Sequence, residues 1–347
     1  MIRVGILGMG FMGWIHWLAY QKVGGAKVRA ICTRNPKRRA GDWRDIQGNF
    51  GPPGEQVDLS GVSTYANLDQ LLDDPQVDLV DITLPTSLHA DIAVRALEAG
   101  KHVLCEKPMA LTLPDCERMV AAARRANRLL MVAHVLPFFP EYGWALKVIQ
   151  SGDYGRVLDA AFRRIISDPT WLKDFWSLEL VGGPMLDVHI HDAHFIRMLF
   201  GMPQETTTVG RMRDGVPEFW YSQFRFADRE LVVEATGGAI NQQGRPFTHA
   251  FEIHLERATL AFDFAVTGGA AQYLCKPMLL DASGGVQHPE LAGGDPVDAF
   301  VGELREVTRC VADGKTSEIL GAILAQDAIR LCEKQTESLV SGQPVKV

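Results

Sequence analysis

The sequence lacks a basic segment, a membrane-length apolar run and paired cysteines. Its 347 residues carry a formal net charge of −7, which argues against nucleic acid or an anionic membrane as a partner. No stretch reaches the roughly 18 uninterrupted apolar residues of a membrane-spanning helix. The six cysteines are scattered without metal-like spacing, so we expect reduced thiols in a cytoplasmic protein. The apolar N-terminal residues enter a glycine-rich turn directly, and we therefore expect no secretory signal.

The length of the chain predicts two domains, because single cores rarely grow beyond about 250–300 residues. Hydrophobic residues make up 47% of the chain and charged residues 22%, as in an ordinary globular protein. Strand patterns differ on the two sides of residue 133. We predict an α/β fold, with a doubly wound parallel sheet in residues 1–133 and an α+β domain with a mostly antiparallel sheet in residues 134–347.

The first sixteen residues predict a strand, a glycine-rich turn and the start of a helix. An apolar run at 4–7 is followed by the G-x-G-x-x-G turn of residues 8–13, and a helix is expected from Trp14 to Tyr20. In this order the first glycine permits a tight turn, the second lets a pyrophosphate approach the backbone, and the third allows close packing of helix on strand. A merely structural turn is the alternative, but the flanking strand and helix favour a dinucleotide cofactor.

The end of the second predicted strand, residues 27–32, bears on the choice of cofactor. A dinucleotide site usually carries an acidic residue there for the ribose hydroxyls. This chain has Thr33 and Arg34, followed by Lys37, Arg38 and Arg39. Cations suit a 2′-phosphate, so the pattern favours NADP over NAD, with dual use left open. The alternative is that these are solvated charges at a helix start.

Three more predicted strands, residues 79–83, 102–105 and 129–133, alternate with helices, which is typical of a parallel sheet. Thr86 is expected to cap the helix that runs to Glu98, and Thr112 the one that runs to Ala126. Ligands lie beyond the carboxyl ends of such strands. We therefore expect the cofactor to contact the glycine turn and the strand ends, at Gly8, Gly10, Phe11, Met12, Gly13, Thr33, Arg34, Arg38, Leu84, Pro85, Thr86, His89, Glu106 and Lys107.

The second half shows alternation of period two, for example in residues 251–256 and 260–264. One apolar and one polar face predict an antiparallel sheet, unlike the buried strands of the first half. A long strand is expected at 157–166. Two helices close the chain, one capped by Asp295 and ending at Gly314, the other running from about Ser317 to Ser341.

The segment from Gly182 to His194 is the densest in chemical groups, with a carboxylate and histidines at close spacing. If it is helical, Asp187 and His191 lie four residues apart on one face, where the carboxylate can orient the imidazole as a proton acceptor. If it is extended, Asp187, His189 and His191 share a face and could hold a metal. We favour the acid–base pair and no metal. A cluster of buried histidines is the third alternative.

A loop with two tryptophans precedes this segment. Their rings could stack on a sugar or simply anchor the loop, and the sequence does not separate these alternatives. The residues that we expect to contact a substrate are Trp171, Lys173, Trp176, His134 and His191.

The glycine turn followed by His16, the Glu106-Lys107-Pro108 motif and the later Gly-Gly…Asp-x-x-x-His pattern together resemble the glucose–fructose oxidoreductase/inositol dehydrogenase/MocA family. The resemblance covers essentially the whole chain. It implies an NAD(P)-binding Rossmann domain and a second domain whose open sheet forms dimers or tetramers. It also implies that Lys107 lies near the nicotinamide, that Asp187 and His191 are catalytic, and that the peptide before Pro108 is cis. Many members carry an arginine near the position of Pro137, where this chain has an apolar stretch.

The residues and the resemblance together predict an NAD(P)-dependent oxidoreductase acting on a secondary hydroxyl or keto group of a sugar or polyol. His191 would accept the hydroxyl proton, oriented by Asp187, and Lys107 would hold the substrate oxygen. One alternative is a redox-neutral sugar lyase or glycosidase that uses tightly held NAD to form a transient keto-sugar. A second is a non-enzymatic regulator that binds the cofactor on the same fold.

Overall fold

The computed structural model describes residues 1–170, 172, 174–291 and 293–347. In the first part of the chain its strands and helices are β1 (Ile2–Leu7), α1 (Phe11–Tyr20), β2 (Ala26–Cys32), α2 (Pro36–Arg39), β3 (Ser63–Tyr65), α3 (Leu68–Leu72), β4 (Leu79–Ile82), α4 (His89–Glu98), β5 (His102–Glu106), α5 (Leu113–Ala126) and β6 (Leu130–Ala133). They are followed by α6 (Pro140–Ser151), β7 (Val157–Ser167), α7 (Gly183–Asp187), α8 (Ile190–Phe200), β8 (Glu205–Arg213), β9 (Val216–Arg225), β10 (Val232–Ile240), β11 (Phe247–Leu255), β12 (Ala258–Thr267), β13 (Ala270–Asp281), β14 (Val286–Gln287), α9 (Val297–Asp313), α10 (Ala322–Ser341) and β15 (Val345–Lys346).

The described residues form two compact units. The first comprises Met1–Phe139 and Gly293–Gln326, and the second comprises Pro140–Ala292 and Asp327–Val347. Among the described residues, no helix has the length and apolar character that crossing a membrane requires.

The first unit is built on a parallel sheet with strand order β3-β2-β1-β4-β5-β6. Its central strands are largely buried and mostly apolar, because helices cover both faces of such a sheet. The chain reverses direction along the sheet between β1 and β4, which places the end of β1 at the switch point where α/β folds bind ligands. The doubly wound fold predicted for the first half is confirmed.

Local signals place some helix ends correctly and others not. Thr112 caps α5, since its hydroxyl accepts a hydrogen bond from the backbone N–H of Asp115 at 3.3 Å. Thr86 does not cap α4. It begins a separate 3-10 turn, Thr86–Leu88, and is itself buried, so α4 starts at His89. The expected capping role of Thr86 is therefore wrong.

Helix α9 belongs to the first unit, whereas the sequence predicted a division into residues 1–133 and 134–347. Its buried side chains Val297, Phe300, Leu304 and Val307 recur at helical spacing and pack in one cluster with α1. The apolar stripe of a helix must be covered, and here the cover is the first unit's core. The first stretch also extends to Phe139, because Phe138 and Phe139 pack on the same cluster.

The second unit is built on a mixed sheet with strand order β14-β13-β12-β11-β7-β10-β9-β8-β15. Every described pair is antiparallel except β7 with β10. Phe251 pairs with Phe162 on one side and Phe262 on the other, and all three side chains are buried on the same face. Helices α7 and α8 pack against this face, and the predicted mostly antiparallel sheet is confirmed.

The last helix begins later than predicted. The hydroxyl of Ser317 accepts hydrogen bonds from the backbone N–H groups of Ile319 and Leu320 at 3.1 and 3.0 Å, which holds this stretch as a turn. Helix α10 therefore starts at Ala322, and Ser317 marks the turn before it.

Candidate active site

The glycine-rich turn joins β1 to α1 in the geometry that a pyrophosphate requires. Gly8 has φ of 105°, and the hydroxyl of Thr83 donates a 2.6 Å hydrogen bond to its carbonyl. At Gly13 a Cβ would lie 2.1 Å from the carbonyl oxygen of Gly8, so only glycine fits. At Gly10 a Cβ would meet no atom within 4 Å, and no side chain caps α1 there. The first-turn N–H groups, including those of Phe11 and Met12, thus remain open to an anion.

We expect Gly13→Ala to lower the free energy of unfolding by about 1–3 kcal/mol, because its Cβ would collide with backbone. Cofactor affinity should fall by about tenfold or more, since every 1.4 kcal/mol of binding energy is a factor of ten. Urea unfolding and fluorescence titration with reduced cofactor measure the two effects. Gly24→Ala is the matched control, because a Cβ there has open space and should change neither quantity. A Gly13→Ala protein with unaltered stability and affinity would contradict this account of the turn.

Of the basic residues after β2, some contact other protein groups and others are exposed to solvent. Arg38 donates to the carbonyl of Met9 at 2.5 Å and pairs with Asp45 at 3.1 Å, and Arg39 donates to the carbonyl of Thr33 at 2.7 Å. Arg34 is exposed and has no hydrogen-bond or ion-pair partner within the part of the chain that the structure describes. Arg38 therefore shapes the turn, whereas Arg34 is the guanidinium that a ribose phosphate could engage.

The ends of β4 and β5 are tied together by His89. Its ring nitrogens lie 2.8 Å from the carbonyl oxygens of Leu84 and Pro108, and the side chain is buried. His89 thus links the strand-end turns 84–86 and 106–108. Both of its ring nitrogens are engaged by these carbonyl groups. The peptide between Lys107 and Pro108 is cis, as the family resemblance implies.

Glu106 and Lys107 differ in burial. The Glu106 carboxylate is buried and accepts a hydrogen bond from the backbone N–H of Lys107 at 3.0 Å, so it holds the turn. The Lys107 side chain is partly exposed at the strand end. Of the adjacent pair predicted at the cofactor, Glu106 is buried and Lys107 is partly exposed.

In the second unit the predicted acid–base pair lies on two successive helices. Asp187 is the last residue of α7 and His191 is the second residue of α8, so the segment is helical on both sides of a break. Val188 and His189 between them keep right-handed helical dihedrals, and the N–H groups of both donate to the carbonyl of Pro184. The break is therefore local.

Burial separates the residues of this segment into two groups. Asp187 and His191 are partly exposed, whereas His189, Asp192 and His194 are fully buried. His189 is held by its Nε2 atom, which lies 3.1 Å from Oε1 of Gln335 in α10. Some of the polar side chains in this segment therefore have a structural role. The two that are partly exposed are Asp187 and His191, which the sequence predicted to be catalytic.

The extended conformation that the metal alternative requires is not formed. Residues 183–187 and 190–200 are helical, and the ring of His189 points to Gln335. Across the described ranges, no group of three histidine, cysteine or acidic side chains is arranged to hold a metal ion. The alternative of Asp187, His189 and His191 as ligands on one strand face is therefore wrong.

A buried ion pair fixes α8. Arg164, directed inward from β7, makes a bidentate contact with Asp192 at 2.8 and 3.0 Å. Burial by itself raises the pKa of Asp192, but the Arg164 guanidinium outweighs it and lowers the pKa to about 2. Asp192 directly follows His191, so the pair anchors the first turn of α8, which carries His191. Sequence reasoning missed Arg164, although a charge at the inward phase of an alternating strand was a signal.

The remaining predicted substrate residues have different surroundings. The indole N–H of Trp176 donates to Asp168 at 3.0 Å, and the guanidinium of Arg213 lies 4.4 Å from its ring centroid. These contacts favour loop anchoring over a free stacking ring. His134 is fully buried after β6, which favours a structural role. Trp171 and Lys173 lie outside the described residues.

Comparisons with known proteins agree with this architecture. Residues 2–134 match a family model described as an oxidoreductase family with an NAD-binding Rossmann fold, and residues 143–261 match the GFO/IDH/MocA C-terminal domain. Levoglucosan dehydrogenase of Pseudarthrobacter phenanthrenivorans is 30% identical over 311 residues, covering 76% of this chain and 74% of that protein. The 2,7-anhydro-N-acetylneuraminate hydratase of Escherichia coli is 26% identical over 265 residues, covering 69% and 67%.

Solved structures share the fold at low sequence identity. A levoglucosan dehydrogenase in complex with NADH and levoglucosan aligns with a TM-score of 0.81 and 23% identity, covering 100% of this chain and 99% of the other. An aldose–aldose oxidoreductase from Caulobacter crescentus aligns with a TM-score of 0.78 and 22% identity, covering 100% and 99%.

Proposed function

Because the chain belongs to the GFO/IDH/MocA family of NAD(P)-dependent oxidoreductases, we propose that it transfers hydride between the nicotinamide and a secondary hydroxyl or keto group of a sugar or polyol. The observation that carries the proposal is the selective exposure of Asp187 and His191 in a segment whose other ionisable side chains are buried. Relatives named for levoglucosan and 1,5-anhydro-D-fructose support a carbohydrate substrate.

The chain's own side chains supply proton handling. His191 accepts the hydroxyl proton as general base, and Asp187 holds the imidazole in the orientation and tautomer that leave one nitrogen free. Lys107 donates a hydrogen bond to the substrate oxygen and stabilises the negative charge that develops there. The bound nicotinamide supplies the hydride acceptor. In the reductive direction the same groups return the proton.

The test is a screen of anhydrosugars, free sugars and polyols with the protein saturated with NAD⁺ or NADP⁺. Absorbance of reduced nicotinamide should accumulate with at least one of these compounds. A screen in the opposite direction, with reduced cofactor and keto-sugars, covers an enzyme that works as a reductase. No turnover in either direction, with cofactor binding verified by fluorescence, would refute the proposal.

The redox-neutral alternative is retained because one relative is named as a hydratase of an anhydrosugar acid. In that chemistry a sugar carbon is oxidised transiently, elimination or water addition follows, and the cofactor is restored in place. Product formation without net accumulation of reduced nicotinamide distinguishes it. The regulator alternative is not carried further, because this chain is an enzyme of an oxidoreductase family.

We further propose that NADP is preferred over NAD through Arg34, the available cation after β2. Arg34→Glu should lower the ratio of kcat/KM for NADP over that for NAD by about tenfold or more, because a charge-assisted hydrogen bond contributes about 1.5–3 kcal/mol. Steady-state kinetics with both cofactors measure the ratio.

Lys37→Glu is the matched control for this prediction, since it makes the same charge change at an exposed position nearby. It should leave the ratio nearly unchanged. Equal shifts in both variants would indicate a general field effect and refute a specific contact of Arg34 with the 2′-phosphate.

The proposal extends to assembly and location. The outer face of the second unit's sheet exposes Val209, Tyr221 and Val232 on adjacent strands β8, β9 and β10. Val209 and Tyr221 are directly paired, and exposed apolar side chains on one sheet face are typical of an interaction surface, which supports a dimer or tetramer. The sequence features given above support a cytoplasmic location.

A further inference from the structure

A cluster of four ionisable side chains is buried in the first unit beneath the turn that carries Lys107. It comprises His16 of α1, Asp81 of β4, Glu106 of β5 and Glu303 of α9, each at most 6% exposed. Neither predicted catalysis nor cofactor binding uses His16, Asp81 or Glu303. Charged groups are rarely buried without partners, so the cluster requires an explanation.

His16 lies at the centre of the cluster, between two carboxylates. Its Nδ1 atom is 2.8 Å from Oδ2 of Asp81, and its Nε2 atom is 3.0 Å from Oε1 of Glu106. The first contact is a directed hydrogen bond, whereas the second is a close ion-pair contact without the alignment of one. Helix α1 thus joins the strands β4 and β5 through a single imidazole.

The geometry determines the charge of His16. A neutral imidazole carries one N–H, so its second nitrogen would turn a lone pair towards a carboxylate oxygen. Protonation of both nitrogens removes that repulsion. Burial by itself lowers the pKa of His16, but Asp81 and Glu106 outweigh it and hold the pKa well above its ordinary value.

The other titratable groups of the cluster are consistent with one central cation. Burial, reinforced by Glu106 and Asp81, raises the pKa of Glu303 well above its ordinary value against the opposing effect of His16, which favours the neutral carboxyl. Burial also raises the pKa of Tyr20, which lies against Asp81, and of Cys105, which neighbours Glu106. His16, which contacts both Asp81 and Glu106, is therefore the central cation of the cluster.

We propose that His16, as an imidazolium, is a positioning residue for Lys107. It draws the Glu106 carboxylate inward, and the second oxygen of that carboxylate accepts the backbone N–H of Lys107 at 3.0 Å. The chain His16–Glu106–Lys107 thereby fixes the strand-end turn from which the lysine side chain extends. This inference rests on the proposed function in one respect, namely that Lys107 acts in the reaction.

Loss of the imidazolium leaves Asp81 and Glu106 buried close together without a cation. One carboxyl must then take up a proton or move, and either event releases the turn. A misplacement of about 1 Å at a reacting group can cost about 10²-fold in rate. His16→Gln should therefore lower kcat by about 10²-fold and change the substrate KM and the cofactor dissociation constant much less.

The charge of His16 is measured directly on the wild-type protein. Labelling with ¹³C-histidine gives ten ring signals, and the His16→Gln variant identifies the one from His16. We expect this signal to keep its imidazolium shift at pH values where ordinary histidines, with a pKa of about 6.5, have become neutral. Titration of His16 near 6.5 would overturn the proposal whatever the activity.

The variant Glu106→Gln provides a second test of the proposal and leaves His16 unchanged. We expect kcat to fall at alkaline pH, where His16 loses its proton. Removing one carboxylate should lower the pKa of His16, so this fall should move to lower pH. The double variant His16→Gln/Glu106→Gln removes the buried repulsion and should be more active than His16→Gln alone. A purely structural histidine would show neither the pH shift nor the rescue, and the absence of both would overturn the positioning role.

These outcomes separate the inference from the proposed function. A protein whose His16 stays charged but which turns over no sugar or polyol contradicts the function and supports the charged cluster. A protein that turns over a sugar while His16→Gln keeps full kcat and an unaltered pH profile supports the function and overturns the inference.

Discussion

Replacing His191 with asparagine is expected to lower kcat by about 10²–10⁴-fold, the range contributed by a positioned general base. Asparagine keeps a polar side chain of similar reach, so α8 should remain folded. It has no nitrogen that can accept a proton from a hydroxyl group. Steady-state kinetics on the best substrate of the screen, with cofactor affinity measured by fluorescence, test the prediction. The cofactor dissociation constant should stay within about twofold, because the predicted cofactor contacts lie at the glycine turn and strand ends of the first unit.

The matched control is His254→Gln, which removes a partly exposed histidine from β11 of the same unit. Its kcat should equal that of the wild type. A second variant, Asp187→Asn, should also lower kcat, since an amide in place of the carboxylate can hold the imidazole in the wrong tautomer. Full activity in His191→Asn would show that another group accepts the proton and would refute the assigned role.

The second large effect concerns stability. Asp192→Asn should lower the free energy of unfolding by about 3–5 kcal/mol, because it leaves the Arg164 guanidinium buried and unpaired. Urea unfolding monitored by tryptophan fluorescence measures the change. The double variant Arg164→Met/Asp192→Leu should recover most of the loss, because apolar replacements remove both charges together. A loss below about 1 kcal/mol in the single variant would mean that the pair is dispensable.

The same pair predicts the direction of acid sensitivity. The pKa of Asp192 is lowered to about 2 in the folded chain, below the value of about 3.9 expected for an unfolded chain. Its contribution is therefore complete above about pH 4 and is lost as the pH falls towards 2. Asp192→Asn should flatten the stability profile in this window.

Local chemistry allowed much of the fold to be predicted. The glycine turn at Gly8–Gly13, the strand ends and the capping by Thr112 each depend on residues close in sequence. The two sheets follow from different periodicities, continuous apolar strands in one and alternation in the other. The exposed pair Asp187 and His191 follows from spacing and from the family resemblance.

The remaining features depend on contacts between distant parts of the chain. Arg164 and Asp192 meet across 28 residues, and His16 reaches Glu106 across 90, so neither pairing leaves a local pattern. The break between α7 and α8 follows from Val188 and His189, which both bond to Pro184. Helix propensity alone does not distinguish that arrangement from a continuous helix. The apolar stripe of α9 can be recognised in the sequence, but the sequence does not indicate that the core of the first unit covers it.

The return of α9 to the first unit has a consequence for synthesis of the chain. Residues 1–139 leave the ribosome first, yet Phe300 and Leu304, which complete their core, emerge only after the whole of 140–292 has been made. Domains usually fold as they emerge, from the N-terminus onward. Here the apolar surface of the nascent dinucleotide-binding unit stays exposed until α9 has been synthesised. A chain terminated before residue 293 would therefore be a substrate for chaperones and proteases and not a working cofactor-binding domain.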